Sequence, residues 1–163
     1  MKQVEILSTF KEYSSVKELP AADQRLIKEA HKSVSRAYAP YSQFNVGAAV
    51  LLANGKIVSG NNQENASYPI GLCAERVALF SASADFPKQK IKAIAVTAKS
   101  KDFIISKPVS PCGACRQSIA EYEHRHNHPI RVILTGEKGK VLVADGIKNF
   151  LPLMFKVDDL KKR

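Results

Sequence analysis

The sequence contains no apolar run that approaches the roughly 20 residues a transmembrane helix requires, so we expect no membrane partner. It also contains no internal repeat, low-complexity segment or interdomain linker. At the N-terminus, Glu5 stands where the apolar region of a signal peptide would begin. These absences predict a cytoplasmic protein with one main domain, and a length of 163 residues is enough to bury a proper core.

Cysteine is scarce as well, with three residues in the whole chain. So few thiols suit a reducing compartment, where cysteines bind metal instead of forming disulfides. All three fall in two short segments, Gly71–Arg76 and Ser110–Gln117. This clustering indicates that the cysteines act together.

Acidic residues are outnumbered by basic ones: 15 Asp and Glu against 25 Lys and Arg give a formal net charge of +10. Such a charge could attract nucleic acid or another polyanion. The basic residues are spread along the chain, however, and the densest cluster is the terminal run Lys161–Arg163. We therefore interpret the charge as a solvated surface and do not expect a nucleic-acid partner.

Cys73, Cys112 and Cys115 could together bind one zinc ion. Zinc takes four ligands, commonly thiolate or imidazole, and a catalytic zinc keeps one position for water. The Cys-x-x-Cys spacing lets two sulfurs converge on one ion at the start of a helix. Glu75 follows Cys73 by two residues, which allows its carboxylate to reach water at the metal without ligating it. The arrangement matches zinc-dependent base deaminases, which combine a first Cys or His ligand, a nearby Glu and a later Pro-Cys-x-x-Cys.

Other roles for the cysteines stay open on spacing alone. A Cys-x-x-Cys pair can be a redox pair, half of a structural zinc site or two buried thiols. A redox pair would leave Cys73 and Glu75 without a role. A structural site of four cysteines lacks its fourth member here, although one of the four histidines could replace it.

Hydrophobic periodicity and turn residues predict helices that alternate with strands, which is typical of a mixed sheet covered by helices. We expect an α/β fold with five strands and a possible extra N-terminal strand. The predicted elements are, in order, strand 4–13, helix 20–38, strands 44–53 and 56–60, helix 73–84, strand 91–98, helix 111–126, and strands 130–135 and 140–144. The polar segment 61–72 would lie at the strand ends, where ligands bind in open α/β sheets, although alone it could be a solvated loop.

Both cysteine segments fall at predicted helix N-termini, where backbone N–H groups and the helix dipole lower thiolate pKa values. Three thiolates on a divalent ion leave one net negative charge, which weakens the metal as a Lewis acid. Arg76, adjacent to Glu75, is a candidate to compensate this charge. Otherwise Arg76 is a surface arginine.

Five separated motifs stand in order along the chain. They are Ala39-Pro40-Tyr41-Ser42-x-Phe44-x-Val46-Gly47-Ala48-Ala49, Gly60-x-Asn62-x-Glu64-Asn65-Ala66-Ser67-Tyr68, Cys73-Ala74-Glu75-Arg76, Pro111-Cys112-Gly113-Ala114-Cys115-Arg116-Gln117 and Leu151-Pro152-x-x-Phe155. With these motifs the chain resembles the cytidine deaminase family, in particular its small homotetrameric class. The resemblance implies a single cytidine deaminase-like catalytic domain over 20–163, preceded by an N-terminal extension over 1–19.

The resemblance also implies hydrolytic deamination of cytidine and 2′-deoxycytidine to uridine and 2′-deoxyuridine, with release of ammonia, in pyrimidine salvage. It implies one zinc ion per subunit, held by Cys73, Cys112 and Cys115, and a homotetramer whose subunits share active sites. The other implied roles are proton transfer by Glu75, ribose binding by Asn62 and Glu64, packing on the pyrimidine ring by Phe44, hydrogen bonding of the base carbonyl by the Ala74 N–H, and contacts across a subunit interface by Tyr68 and Phe155.

Three other functions remain open at this point. A deaminase of the same fold that acts on another small molecule, such as blasticidin S, would share the cysteine motifs and differ at the Asn62 and Glu64 pair. A polynucleotide-editing deaminase usually has histidine as its first ligand and needs an open channel for the strand. A zinc-stabilised binding module would leave Glu75 without a purpose. Pro69 and Leu72 replace residues common in the family, which affects local loop detail.

Overall fold

The computed structural model describes residues 1–156 and residue 160. In this part of the chain, three α-helices pack on one six-stranded sheet. The elements are β1 Lys11–Tyr13, α1 Ala21–Val34, β2 Phe44–Leu52, β3 Ile57–Asn61, α2 Ala74–Asp85, β4 Ile91–Ser100, α3 Gly113–His126, β5 Arg131–Thr135 and β6 Val141–Asp145. No helix among the described residues is long and apolar enough to cross a membrane. The basic run Lys161–Arg163 lies outside the described residues.

The sheet has the order β1-β6-β5-β4-β2-β3. Strands β4 and β5 run parallel, whereas the other described pairs are antiparallel. The prediction of a mixed sheet covered by helices is therefore confirmed. Five of the six strands are those predicted for the core of the sheet. Strand β1 is the additional one, and its pairing with β6 confirms the extra N-terminal strand.

The predicted N-terminal strand over 4–13 is wrong for residues 4–10, which form no strand. In the antiparallel register Lys11 lies opposite Val143, so residue 8, three positions earlier, would face Gly146. Strand β6 ends at Asp145 and the chain turns at Gly146, with φ +93°, so residues 4–8 have no residue of β6 opposite them. The N–H of Thr9 instead donates to the side-chain oxygen of Asn149 at 2.9 Å.

Helices cover both faces of the sheet. One core lies between the sheet and α1, and the other lies between the sheet and the pair α2 and α3. Alternate residues of β2 and β4 enter the two cores, as the two-residue period of a strand requires. Those on the α2 and α3 side are Ala48, Val50, Leu52, Ile94 and Val96, and those on the α1 side are Ala49, Ala93 and Ala95. Ile91 also enters the α2 and α3 side, because the register shifts between Leu51 and Leu52.

Helix α1 ends at Val34, four residues before its predicted end at residue 38. The N–H of Tyr38 donates to the Asn62 carbonyl at 3.0 Å, and the Tyr38 carbonyl accepts from the Glu64 N–H at 2.8 Å. Because Tyr38 uses both backbone groups in this pairing, it cannot continue the helix. The pairing holds the segment of Asn62 and Glu64 against the chain that follows α1.

The starts of α2 and α3 lie one and two residues after the predicted positions, at Ala74 and Gly113. Helix α2 crosses β3 at close range because Gly60 has no side chain: a Cβ there would lie 2.4 Å from the backbone nitrogen of Ala78. This close crossing fixes where the first turn of α2 meets the sheet.

Candidate functional site

Three cysteine sulfurs meet where the N-termini of α2 and α3 converge. Cys73 is the N-cap of α2, Cys112 is the N-cap of α3, and Cys115 lies in the first turn of α3. Their Sγ atoms all lie within 4.8 Å of one another, and those of Cys73 and Cys112 are 3.8 Å apart. Tetrahedral Zn–S bonds of about 2.3 Å place sulfurs about 3.8 Å apart, so the triad fits one zinc ion with a fourth position for another ligand.

The ionisation of these thiols also favours a cation. The pKa of Cys73 is lowered to about 5, chiefly by a hydrogen bond with Cys115 and also by Arg76. The same hydrogen bond, together with burial, raises the pKa of Cys115. The two shifts are opposite because the sulfurs share a proton, so the cluster readily carries one thiolate. Three thiolates at this distance require a multivalent cation, which Zn²⁺ provides.

Arg76, the predicted charge-compensating residue, lies beside the cluster. Its Nη2 is 3.7 Å from the Cys73 sulfur and 3.4 Å from the Gly71 carbonyl oxygen. The hydrogen bond to Cys73 raises the pKa of Arg76, which is expected for a cation against a thiolate. The structure therefore brings a fixed positive charge to the sulfur of Cys73.

Glu75 lies in the first turn of α2 and is 4% exposed. Burial raises the pKa of its carboxyl, and the neighbouring Cys73 raises it further. Glu75 lines the same cavity as Cys73 and Cys112. A buried carboxyl with a raised pKa next to a metal site has the properties of a general acid and base.

The cavity beside the sulfurs has a volume of about 750 Å³, which lies within the range of small-molecule binding sites. Four side chains predicted to contact substrate line it, namely Phe44, Asn62, Glu64 and Tyr68. Ala74 lies between Cys73 and Glu75 as the first residue of α2, so its N–H belongs to the helix N-terminus. The structure thus gathers residues from four of the five sequence motifs around one cavity.

Glu64 is held in place by a residue to which the sequence analysis gave no role. The hydroxyl of Ser42 donates to one carboxylate oxygen of Glu64, and the N–H groups of Tyr41 and Ser42 donate to the other at 2.9 and 3.3 Å. Partial desolvation raises the pKa of Glu64, but these hydrogen bonds outweigh it and lower the pKa overall. Glu64 is therefore presented to the cavity as a carboxylate. The available sequence signal for this contact was the position of Ser42 in the Ala39-Pro40-Tyr41-Ser42 motif.

Two tyrosines stand at the exposed rim of the cavity. The rings of Tyr41 and Tyr68 meet edge to face, with centroids 5.7 Å apart and an interplanar angle of 62°. Their exposed fractions are 49% and 73%. Such exposure leaves both rings free to contact a ligand or another protein surface.

Phe155 does not line the cavity of its own chain. It is 58% exposed and lies beside a separate cavity of about 390 Å³ near the C-terminal end of α3. Its carbonyl accepts a hydrogen bond from the side-chain amide of Gln117 at 2.9 Å. The structure therefore separates Phe155 from the other predicted substrate-binding residues of the same subunit.

Comparison with known proteins gives a consistent result. Residues 20–127 match the family model of the cytidine and deoxycytidylate deaminase zinc-binding region. The chain is 42% identical to the cytidine deaminase of Halalkalibacterium halodurans over 137 residues, which cover 84% of this chain and 96% of that protein. It is 30% identical to the blasticidin-S deaminase of Bacillus cereus over 135 residues, which cover 82% of this chain and 91% of that protein.

A similar structure has also been solved. The crystal structure of cytidine deaminase from Burkholderia pseudomallei matches the fold with a TM-score of 0.70 at 42% sequence identity. The match covers 80% of this chain and 97% of that one. The part of this chain without a counterpart there is thus about a fifth of its length.

Proposed function

This chain belongs to the family of cytidine and deoxycytidylate deaminases, and we propose that its site catalyses the hydrolytic deamination of cytidine and 2′-deoxycytidine. The products are uridine or 2′-deoxyuridine and ammonia. The observation that carries this proposal is the meeting of three sulfurs and the buried Glu75 in one cavity, which Asn62 and Glu64 also line.

Cys73, Cys112 and Cys115 would hold zinc, which lowers the pKa of water from about 15.7 towards about 7 and so supplies a nucleophile at neutral pH. Glu75 takes a proton from this water as the C–O bond forms at C4 of the base. It would deliver this proton to ring N3, then take the proton of the new C4 hydroxyl and pass it to the amino group. The C4–N bond would break as the C4 carbonyl forms, and the amino group would leave as ammonia. The raised pKa of Glu75 suits a group that must move protons in both directions.

The remaining cavity residues bind and orient the nucleoside. Phe44 packs against the pyrimidine ring, and the N–H of Ala74 donates to the base carbonyl. Asn62 and Glu64 bind the ribose hydroxyls, for which the hydrogen-bonded carboxylate of Glu64 is a ready acceptor. Arg76 offsets the negative charge of the three thiolates.

The charges of the cavity favour a nucleoside over a nucleotide or a polynucleotide. Among the described residues that line it there is no Lys, Arg or His, and the charged ones are Glu64 and Glu75. Two carboxylates repel a phosphate, and no described Lys or Arg is among the residues that line the cavity to offset this repulsion. The positive surface therefore does not extend into the site.

A second candidate substrate is blasticidin S, because the chain also resembles a blasticidin-S deaminase. The test is to incubate the purified zinc-loaded protein separately with cytidine, 2′-deoxycytidine, cytidine 5′-monophosphate, blasticidin S and single-stranded RNA. Ultraviolet absorbance and ammonia release are then followed. We expect rapid turnover of the two nucleosides and little of the others. Faster turnover of blasticidin S, or specific RNA binding at physiological salt, would contradict the proposal.

We also propose a cytoplasmic homotetramer that serves pyrimidine salvage, in which Phe155 and Tyr68 contribute to a neighbouring active site. Both side chains are exposed, and Phe155 is not among the described residues that line the cavity of its own chain, which supports this assignment. Co-expression of Phe155→Ala and Glu75→Gln chains tests it, because mixed tetramers contain sites with an intact Glu75 and a neighbour's Phe155. We expect more activity than the two variants give separately. A monomer in sedimentation would contradict the shared site.

A further inference from the structure

Arg116 directly follows the zinc-ligand candidate Cys115 and links two distant segments. Its Nε donates to the carbonyl of Pro111 at 2.8 Å, and its Nη1 donates to the carbonyl of Phe150 at 2.9 Å. Pro111 is buried and immediately precedes Cys112. One guanidinium therefore joins the turn of Cys112 and Cys115 to the segment that follows β6.

Phe150 is in turn covered by the N-terminal extension. The rings of Phe10 and Phe150 meet edge to face, with centroids 4.9 Å apart and an interplanar angle of 78°. Phe150 is 8% exposed, and the guanidinium carbon of Arg116 lies 6.0 Å from its ring centroid. Phe10 thus packs on the residue whose ring and carbonyl both face Arg116.

Phe10 is anchored on both sides along the chain. Before it, the N–H of Thr9 donates to Asn149, which lies next to Phe150. After it, β1 pairs with β6, and Lys11 forms an ion pair with Asp145 at 3.1 Å. Because both flanks are fixed to the segment between β6 and Phe150, the ring of Phe10 has a defined position.

We propose that Phe10 is a positioning residue for the metal site, which acts through Phe150 and Arg116 to hold the turn of Cys112 and Cys115 in its zinc-binding geometry. Contacts behind the ligands commonly set the metal affinity of a site. The family match over residues 20–127 contains Arg116 but neither aromatic ring. The inference rests on the proposed function only in that the three cysteines bind zinc.

The test measures the rate at which zinc passes from the protein to an excess of a coloured chelator, at a temperature well below unfolding. The substitution Arg116→Ala should increase the rate of zinc loss roughly 10- to 100-fold, since losing a contact behind a ligand usually lowers metal affinity by about that factor. Phe10→Ala should increase the rate of zinc loss by a smaller factor, roughly 3- to 10-fold, because Phe10 contacts the metal-site turn only through Phe150 and Arg116. Phe10→Tyr should restore slow release.

The decisive measurement is the double variant. If Phe10 acts through Arg116, then Phe10→Ala adds nothing in the Arg116→Ala background, whereas independent effects would multiply. Leu7→Ala is the matched control in the same segment, since Leu7 is 89% exposed. Ile27→Val, in the core on the α1 side, controls for general loss of stability.

Equal zinc release from Phe10→Ala and the wild type would overturn the proposal. So would multiplicative effects in the double variant, or equally fast release from an Ile27→Val protein with the same melting temperature as Phe10→Ala. Zinc release does not depend on turnover. Failure of this inference is therefore separate from failure of the deaminase proposal, which is judged by ammonia release from cytidine.

Discussion

Asn62 and Phe44 are joined by a hydrogen bond in which the side-chain amide of Asn62 donates to the carbonyl of Phe44 at 2.9 Å. The amide oxygen of Asn62 also accepts from the N–H of Val46 at 2.8 Å. A side-chain amide has two N–H donors and two acceptor lone pairs, so one of each remains for a ligand. Asn62 can thus hold the strand of Phe44 and bind a ribose hydroxyl at the same time.

The substitution Asn62→Asp replaces the side-chain NH2 group with an oxygen. It should therefore weaken both the contact with the Phe44 strand and the binding of a ribose hydroxyl. A carboxylate cannot donate to Phe44, and losing a partner for a partly buried group costs about 1–3 kcal/mol. The carboxylate also loses the N–H that would bind the ribose, and a loss of about 1–3 kcal/mol in transition-state binding corresponds to a fall in kcat/KM for cytidine of roughly 5- to 150-fold. Steady-state kinetics measure it. Asn54→Asp is the control, because the side-chain oxygen of Asn54 accepts from the N–H of Lys56 in the distant hairpin, and a carboxylate can accept the same hydrogen bond. Unchanged kinetics would show that neither hydrogen bond matters.

Glu75→Gln should separate zinc binding from catalysis. The amide keeps the size of the side chain but cannot accept and return a proton, so kcat should fall roughly 100-fold or more while zinc content stays normal. Kinetics and metal analysis of the same sample measure both. Glu64→Gln makes the same change elsewhere in the cavity and should mainly raise KM. Near-normal turnover by the Glu75 variant would remove the proton-transfer assignment.

Cys112→Ala should abolish stable zinc binding, because it removes one of three sulfurs and leaves the others without a full ligand set. Metal analysis after dialysis measures the loss. Gly113→Ala is the control at the next position, since a Cβ there meets no atom within 4 Å. Full zinc occupancy in the Cys112 variant would contradict the ligand assignment.

His31 should make stability depend on pH. Desolvation lowers the pKa of His31 in the folded protein, although Glu137 opposes the shift. A lowered pKa means that the contribution of His31 to stability is present above the unfolded pKa of about 6.5 and is lost as pH falls through the folded value. Melting temperatures should therefore fall more steeply with acidification in the wild type than in His31→Gln. Parallel curves would refute this.

The sequence predicted those parts of the site that depend on local signals. Cys73 and Cys112 each lie at a break between a loop and an apolar helical pattern, so both helix starts were located within two residues. The convergence of the two cysteine segments on one ion was one of several roles that their spacing left open, and the resemblance to the cytidine deaminase family favoured it.

The sequence could not predict contacts that depend on the whole fold. The pairing of Ser42 with Glu64 spans 22 residues, and that of Phe10 with Phe150 joins opposite ends of the chain. The early end of α1 has the same cause, since Tyr38 is drawn into pairing with the segment of Asn62 and Glu64. At the end of α1, tertiary hydrogen bonds therefore outweigh the local helix propensity of the residues up to Tyr38.

Strand β1 occupies the border of the sheet beside β6, although it is only three residues long. Without it, β6 would present a row of unpaired N–H and C=O groups to solvent, and such borders invite strand addition by other molecules. Lys11 and Glu12 place charges on this outer strand and pair with Asp145 and Lys140. We therefore expect that removal of β1 would leave β6 as an open edge strand, to which another copy of the chain could add by strand pairing.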